Sequence, residues 1–416
     1  MGSLREDPPS IVPSDAKAVV DYGRLFHGVA LNKSSGVERM RDLFDFADEL
    51  GPTKIIHVYE PSAGLRGVLV VDNVARGPSI GGLRMATDVS CQECIRLARA
   101  MTLKNAAADL PHGGGKSVIF GDPKMPKREK EMKIRAMASA LRNVEEYIFG
   151  PDMGTDEECM AWVRDEIGRS VGLPCEVGGI PLDEIGATGW GVLHSTEVAL
   201  EYLDFDLEGA RVAVQGFGAV GRHSARFLSE RGAVLVGAAD SCGAVSDPEG
   251  LDVGALIDLK GAGKSVVDYP GGTNLDREAI IDVECDIWIP AARPDVIDEG
   301  NVNRLKTKLV VQGANIPITA GAEKVLSERG ILSVPDFIAN AGGVICAANE
   351  YRGASRKETF DAIEEKIRKN TKEVLDAVQD DGKLPREAAL DLAVGRLKRS
   401  MGYRRWSLFS SAPGFL

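Results

Sequence analysis

Two lysines stand twelve residues apart where a charged amine is costly. Between Ser90 and Ala108, Leu97, Met101 and Ala108 recur at helical spacing and mark an apolar stripe, and Lys104 falls on that stripe. An ammonium on a buried face either reaches solvent or meets an anion such as a carboxylate. Lys116 follows Gly113, Gly114 and Gly115. Three residues without side chains let the backbone approach a neighbour and hold the amine in a confined place, where burial and a second cation disfavour its charged form. Proton-transfer chemistry needs that condition. Taken singly, each lysine is more often a solvated surface residue.

Gly216, Gly218 and Gly221 form GxGxxG within Gly216-Phe217-Gly218-Ala219-Val220-Gly221. Among 47 glycines such spacing arises easily, so the flanks decide. A strand-like run, Arg211 to Gln215, precedes the glycines; a helix from Val220 to Glu230 follows, with amides that can face a pyrophosphate. A second strand, Ala233 to Ala239, ends at Asp240. Gly216 and Gly218 let the backbone turn and approach phosphates, and Gly221 lets the helix pack closely on the strand. An acid in the place of Asp240 accepts from ribose hydroxyls and repels a 2′-phosphate, which favours NAD; Ser241 and its neighbours leave NADP open. A phosphate loop elsewhere fails. Gly113-Gly-Gly-Lys-Ser117 resembles the end of a Walker A loop, but Leu110 occupies the place of its first glycine, and Asp258 does so for Gly263-Lys-Ser265.

Cys91 and Cys94 read as CxxC, yet no second Cys or His pair lies near enough in sequence to complete a zinc tetrahedron. Ser90 and Glu93 instead read as a capping box that puts both cysteines in a helix's first turn. No metal site is expected. Seven cysteines, an odd number, fit reduced thiols better than a disulfide framework.

The elements that must position these residues fall into two kinds. To about Ile185, strand-like runs (Lys54 to Glu60, Gly67 to Val74, Ser117 to Phe120) mix with helices (Ser90 to Ala108, Arg128 to Tyr147). A Gly- and Pro-containing segment from Gly178 to Gly191 reads as a hinge. Beyond Ala210 short strands alternate with helices, adding Cys285 to Pro290, Lys308 to Gln312 and Ile331 to Val334. That alternation predicts a parallel, doubly wound sheet. Helices follow from Gly343 through Asp380 and from Pro385 to Met401. The fold expected is α/β with two domains: residues 1–185, rejoined by C-terminal helices 348–416, for substrate and assembly, and 186–347 for a Rossmann-type dinucleotide-binding domain.

With 416 residues, 44% hydrophobic and 27% charged, the chain can bury two cores. A net charge of −12 opposes binding to nucleic acid or an anionic membrane surface. Met1 to Ser10 is polar, no apolar run is long enough to cross a bilayer, and Glu6 spoils a myristoylation reading of Met1-Gly2; a cytoplasmic location is expected.

The stretches Gly77-Pro-Ser-Ile-Gly-Gly-Leu-Arg-Met85, Met101-Thr-Leu-Lys-Asn-Ala106, Leu110-Pro-His-Gly-Gly-Gly-Lys116, Pro151-Asp-Met-Gly-Thr155, Ala187-Thr-Gly189, Gln215 to Gly221, Pro290-Ala-Ala292, Gly313-Ala-Asn315 and Asn340-Ala-Gly-Gly-Val344 resemble, in that order, the glutamate, leucine, phenylalanine and valine dehydrogenase family. The resemblance spans most of the chain. It implies reversible oxidative deamination of an L-amino acid to a 2-oxo acid and ammonia: hydride passes from the 2-carbon to the nicotinamide, water adds to the imine, and ammonia departs. It implies that Lys104 binds the 2-carboxylate, that Lys116 activates water and polarises the carbonyl, and that Asp152 shuttles a proton to and from nitrogen. Lys116 and Asp152 should then titrate as a pair. Gly81, Gly82 and Met101 join Lys104 around the substrate; Thr188, Asn315 and Asn340 lie in motifs placed about the nicotinamide, and Ala291 joins the glycine loop in holding the cofactor. His112 takes a usually apolar place and reads as packing. A homo-oligomer, usually a hexamer, is implied by the same likeness.

Glutamate-specific members have a lysine just before Gly-Gly-x-Arg and a serine three residues after Asn-Ala-Gly-Gly-Val; here Ile80 and Ala347 stand there. Leaving a buried carboxylate without its partners costs roughly 2–5 kcal/mol, so an apolar substrate fits better. Chain length and Met160-Ala-Trp162 point instead to the glutamate branch. A silent regulatory subunit of an active dehydrogenase needs none of Lys104, Lys116, Asp152 and the glycine motif, and a nucleotide-binding module leaves the lysines unexplained.

Overall fold

The computed structural model describes residues 43–403. The readings attached to Met1–Ser10 lie outside them. The first sheet is built from β1 (Lys54–Glu60), β2 (Leu65–Asn73), β3 (Ser79–Ala86), β4 (Gly113–Phe120) and β5 (Tyr147–Pro151), in the order β1-β2-β4-β3-β5. β2 runs antiparallel to β1 and β4, whereas β3 is parallel to β4 and β5. Helices α1 (Cys91–Ala107) and α2 (Lys127–Ala140) make the crossovers, and α3 (Glu157–Ile167) follows. Strand alternation sends Leu69 and Val71 to a core with Ile134, Met137 and Val163, while Val68, Val70 and Val118 pack on Ile95 and Ala98 of α1.

Three expectations change here. The strand expected from Ser117 begins at Gly113, so the three glycines belong to β4, and beside it lies β3, a strand that the sequence pattern does not mark. The helix expected to run to Tyr147 stops at Ala140, because Tyr147, Ile148 and Phe149 are buried in β5 beside β3. Only the first half of the expected hinge is irregular or short: after α4 (Leu182–Ile185), α5 (Ala187–Leu200) takes up its remainder. Gly186 joins the two helices at φ +76°, where a Cβ would strike the His223 ring.

The second sheet comprises β6 (Arg211–Gln215), β7 (Val234–Ala239), β8 (Ala244–Ser246), β9 (Thr273–Leu275), β10 (Ile287–Pro290), β11 (Leu309–Val311) and β12 (Leu332–Val334), ordered β12-β11-β10-β6-β7-β8-β9. It is parallel apart from an antiparallel edge, β8 and β9. Helices α6 (Ala219–Ser229), α7 (Val253–Gly261) and α8 (Ala320–Glu328) intervene, and Trp288, Val310, Val236 and Leu326 share its core. The order reverses beside β6, the switch point at which such sheets bind ligands.

The chain closes with α9 (Asp336–Ala339), α10 (Gly342–Tyr351), α11 (Arg356–Asp381) and α12 (Pro385–Met401). The single helical run expected after Gly343 is broken, because Gly353 turns at φ +74° and Ser355 with Glu358 caps a new helix. Helix α12 returns to the first sheet: Arg396 donates to the carbonyls of Ala106 and Ala107 at the end of α1, 3.3 and 2.7 Å away.

Candidate active site

The glycines before Lys116 set the site's spacing. A Cβ on Gly114 would lie 2.0 Å from the Thr102 amide nitrogen, so α1 rests directly on β4 and carries Lys104 toward Lys116. Their ammonium groups repel. Lys116 is 4% exposed, and its Nζ bonds to Oδ2 of Asp152, which follows β5. Gly81 and Gly82 are buried in β3; a Cβ on Gly81 would strike the Gly115 carbonyl and one on Gly82 the Asp152 side chain, so both serve the close packing that admits this pair.

Asp152 has a second cation that the sequence reading passed over. Arg84 Nε donates to its Oδ1 at 2.8 Å, and the Met153 amide donates to the same oxygen at 2.7 Å. Burial alone pushes the Asp152 carboxyl up, but Lys116 and Arg84 outweigh it and hold the group below the usual carboxylate range. Arg84 is anchored in turn by Glu93, 2.5 Å from Nη1. The capping box expected of Ser90 and Glu93 is therefore only half made: Ser90 Oγ accepts from the Glu93 amide, while the Glu93 side chain turns to Arg84. Cys94 is buried, with its thiol pushed up to about 12 by that burial.

The stripe carrying Lys104 also differs from expectation. Leu97, Met101 and Lys104 are half-buried, and the fully buried face of α1 is Cys94, Ile95, Ala98 and Thr102. The half-buried stripe looks onto the second sheet's side of the molecule, where Lys104 Nζ lies 3.3 Å from Asn315 Oδ1. Asn340, buried, donates to the same oxygen at 3.2 Å and to the Ala314 carbonyl at 3.1 Å. Thr188 Oγ1 sits beside Gly343, at the head of α10. Burial pulls Lys104 down to about 8, with Lys116 adding to the fall and Asp336 opposing it. Ile80 and Ala347 belong to one apolar cluster with Ile148, Ala341 and Ile345. His112 is fully buried, donates from Nδ1 to the Pro78 carbonyl at 3.0 Å, and is pushed down to about 4 by burial.

The glycine motif fits a dinucleotide. Gly216 takes φ +101°, a Cβ on Gly221 would strike the Gly216 carbonyl at 1.9 Å, and Gly218, exposed at the mouth of α6, faces open space. Ala219 and Val220 open α6, and Val220, the Pro290 carbonyl and Ala291 all border Gly313 at the strand ends. Phe217 contributes neither side chain nor amide, being buried with its N–H on the Ala239 carbonyl. Ser241 is exposed, whereas Asp240 already accepts from Cys242, Lys260, Ser265 and Val266.

Residues 178–405 match the family model of the glutamate/leucine/phenylalanine/valine dehydrogenases, and residues 52–169 match that of the Glu/Leu/Phe/Val dehydrogenase dimerisation domain. The chain belongs to this dehydrogenase family. It is 38% identical over 357 residues to a glutamate dehydrogenase of Aeropyrum pernix, covering 80% of this chain and 85% of that one. A Thermotoga maritima glutamate dehydrogenase is 42% identical over 299 residues, covering 68% and 72%. Among solved structures, the hetero-hexameric glutamate dehydrogenase of Thermus thermophilus, in a Leu-bound form, aligns with a TM-score of 0.74 at 30% identity over 85% of this chain and 90% of that one. The dehydrogenase is thus an NAD(P)-dependent amino-acid oxidoreductase with a two-domain α/β fold. Its dimerisation domain marks a chain that forms oligomers. Among the described residues no helix is long and apolar enough to cross a membrane.

Proposed function

We propose that this dehydrogenase deaminates an L-amino acid with an apolar side chain. The observation that supports the reaction is that the Lys116–Asp152 pair and Lys104 lie on adjoining elements about the first sheet, with Lys104 bonded to Asn315, and Asn315 to Asn340, beyond the end of β11. Lys104 binds the substrate carboxylate, releasing Asn315. Asp152, ionised, takes a proton from the substrate ammonium before hydride leaves the 2-carbon. Lys116 orients the water that adds to the imine, and as that water gives up its proton to solvent, Asp152 returns its own to the nitrogen, which departs as ammonia. Arg84 keeps Asp152 turned toward that nitrogen. Bound along Gly216–Gly221, NAD or NADP supplies the two-electron acceptor. Thr188, Asn315 and Asn340 orient the nicotinamide amide, and Ala291 and Val220 pack about the dinucleotide.

The side chain of the substrate meets Ile80 and Ala347, with Gly81, Gly82 and Met101 shaping the remainder. Both named residues sit in an apolar cluster, which suits leucine, valine or alanine. A second reading, glutamate, is favoured by the names of the relatives at 38% and 42% identity. Of the bounds 1–185 and 348–416, the described residues 43–185 and 348–403 form the substrate and assembly part, and 186–347 the dinucleotide part, a division supported by the return of Arg396 to α1; the remainder lies outside the described residues. The assembly is a homo-hexamer, checked by the mass of the purified single chain in solution; a lone dimer, or a requirement for a second chain, speaks against it.

Purified protein mixed with NAD or NADP and a panel of L-amino acids tests the reading through nicotinamide reduction. Turnover of leucine, valine or alanine above glutamate is expected. Faster turnover of glutamate overturns the substrate assignment, and no turnover of any amino acid supports a silent subunit instead.

A further inference from the structure

Asp240 occupies the end of β7, where an acid ordinarily reads the adenosine ribose. An ionised carboxylate offers about four acceptor sites. Here four donors fill them. Oδ1 accepts from the Cys242 amide at 2.9 Å and Ser265 Oγ at 2.8 Å; Oδ2 accepts from Lys260 Nζ at 2.8 Å and the Val266 amide at 3.0 Å. The side chain is only 7% exposed. The Gly263-Lys-Ser265 segment, set aside as a phosphate loop, finds its use here: Gly263 turns at φ +74° after α7 and presents Ser265 to Asp240. A ribose diol would have to displace one of these donors, and the negative charge that repels a 2′-phosphate is matched by Lys260.

The surroundings lean the same way. Lys264 is exposed next to Ser265, and Ser241 is exposed next to Asp240. The nearby acid, Asp268, is turned onto the Ser265 amide, 2.9 Å away. We propose that Asp240 is a buttress tying β7 to the turn after α7, not a ribose ligand, and that this site accepts the 2′-phosphate of NADP as well as the hydroxyl of NAD, with Lys260 and Lys264 as specificity-determining cations. The proposal rests on the dinucleotide reading of Gly216–Gly221.

Titration of the full-length protein with NADH and with NADPH, followed by the fluorescence of the reduced nicotinamide, tests it without turnover. Dissociation constants within about tenfold of each other are expected. Lys264→Ala should weaken NADPH by about fivefold and leave NADH unchanged, as loss of one phosphate contact does. Lys260→Met, which frees Oδ2, should shift preference toward NADH, and Asp240→Asn should move NADH affinity by less than about threefold. NADPH bound about a hundredfold more weakly than NADH by the unmodified protein, or a tenfold loss of NADH in Asp240→Asn, overturns the proposal. Binding of neither dinucleotide overturns the reading beneath it as well.

Discussion

Lys104, on the helix that crosses the first sheet, and Asn315, at the strand ends of the second, share a hydrogen bond of 3.3 Å. The bond joins a half-buried ammonium to a loop beside the dinucleotide crevice. On the proposed function, a carboxylate held by Lys104 would lie next to the ring that oxidises its neighbouring carbon.

Substrate binding should fail in alkali. Lys104 must be protonated to hold a carboxylate, and burial sets it at about 8, below the ordinary lysine value. The charged form is complete at low pH and is lost as pH rises through that value. The dissociation constant of a 2-oxo acid should be flat below about pH 7 and rise about tenfold per unit above 8. A constant affinity to pH 10 would show that Lys104 does not carry this contact.

Arg84 should act through Asp152. Replacing it by Gln removes one of the two cations that hold the carboxyl low, so the acid limb of the kcat profile moves to higher pH and kcat falls by about 10–100-fold. Arg84→Lys should recover part of both effects. A fall in kcat with an unmoved pH profile would assign Arg84 to folding alone.

The choice of substrate should be transferable. Ile80→Lys with Ala347→Ser places a cation and a hydroxyl in the apolar cluster, and a charged hydrogen bond contributes about 1.5–3 kcal/mol. Turnover of glutamate should rise by about 10–100-fold in kcat/KM while that of leucine falls. No change in the ratio would place the specificity pocket elsewhere.

Gly114→Ala should loosen the site without touching a charge. Its Cβ would lie 2.0 Å from the Thr102 backbone, so α1 must lift from β4. Overpacking of this kind costs about 1–3 kcal/mol, seen as a lower thermal midpoint, with a rise in KM as Lys104 moves. Unaltered stability would mean that the helix and strand tolerate the separation.

The elements whose signals are local were legible. β6 and α12 have the bounds that their apolar patterns and the proline at the head of α12 mark, and Gly216–Gly221 runs from the end of β6 into the first turn of α6. The glycines of β3 and the head of β4 carry no apolar pattern: Gly81, Gly113 and Gly114 are strand residues against which neighbouring backbones press, and Gly82 meets the Asp152 side chain, crowding that only the sheet reveals. The stripe of Leu97 and Met101 was recognised as apolar, but its period does not distinguish a core from a cleft between two domains. Arg84 was visible within its motif, yet its bond to Asp152 joins residues 68 apart in sequence. The donors that fill Asp240 lie up to 26 residues beyond it.

The most direct test is a paired measurement on Lys116→Ala: turnover of the preferred amino acid, and the dissociation constant of the reduced dinucleotide. Loss of turnover by about 10²–10⁴-fold is expected, with cofactor affinity unchanged, because Lys116 meets Asp152 and not the glycine motif. Near-normal turnover in that variant would contradict the account.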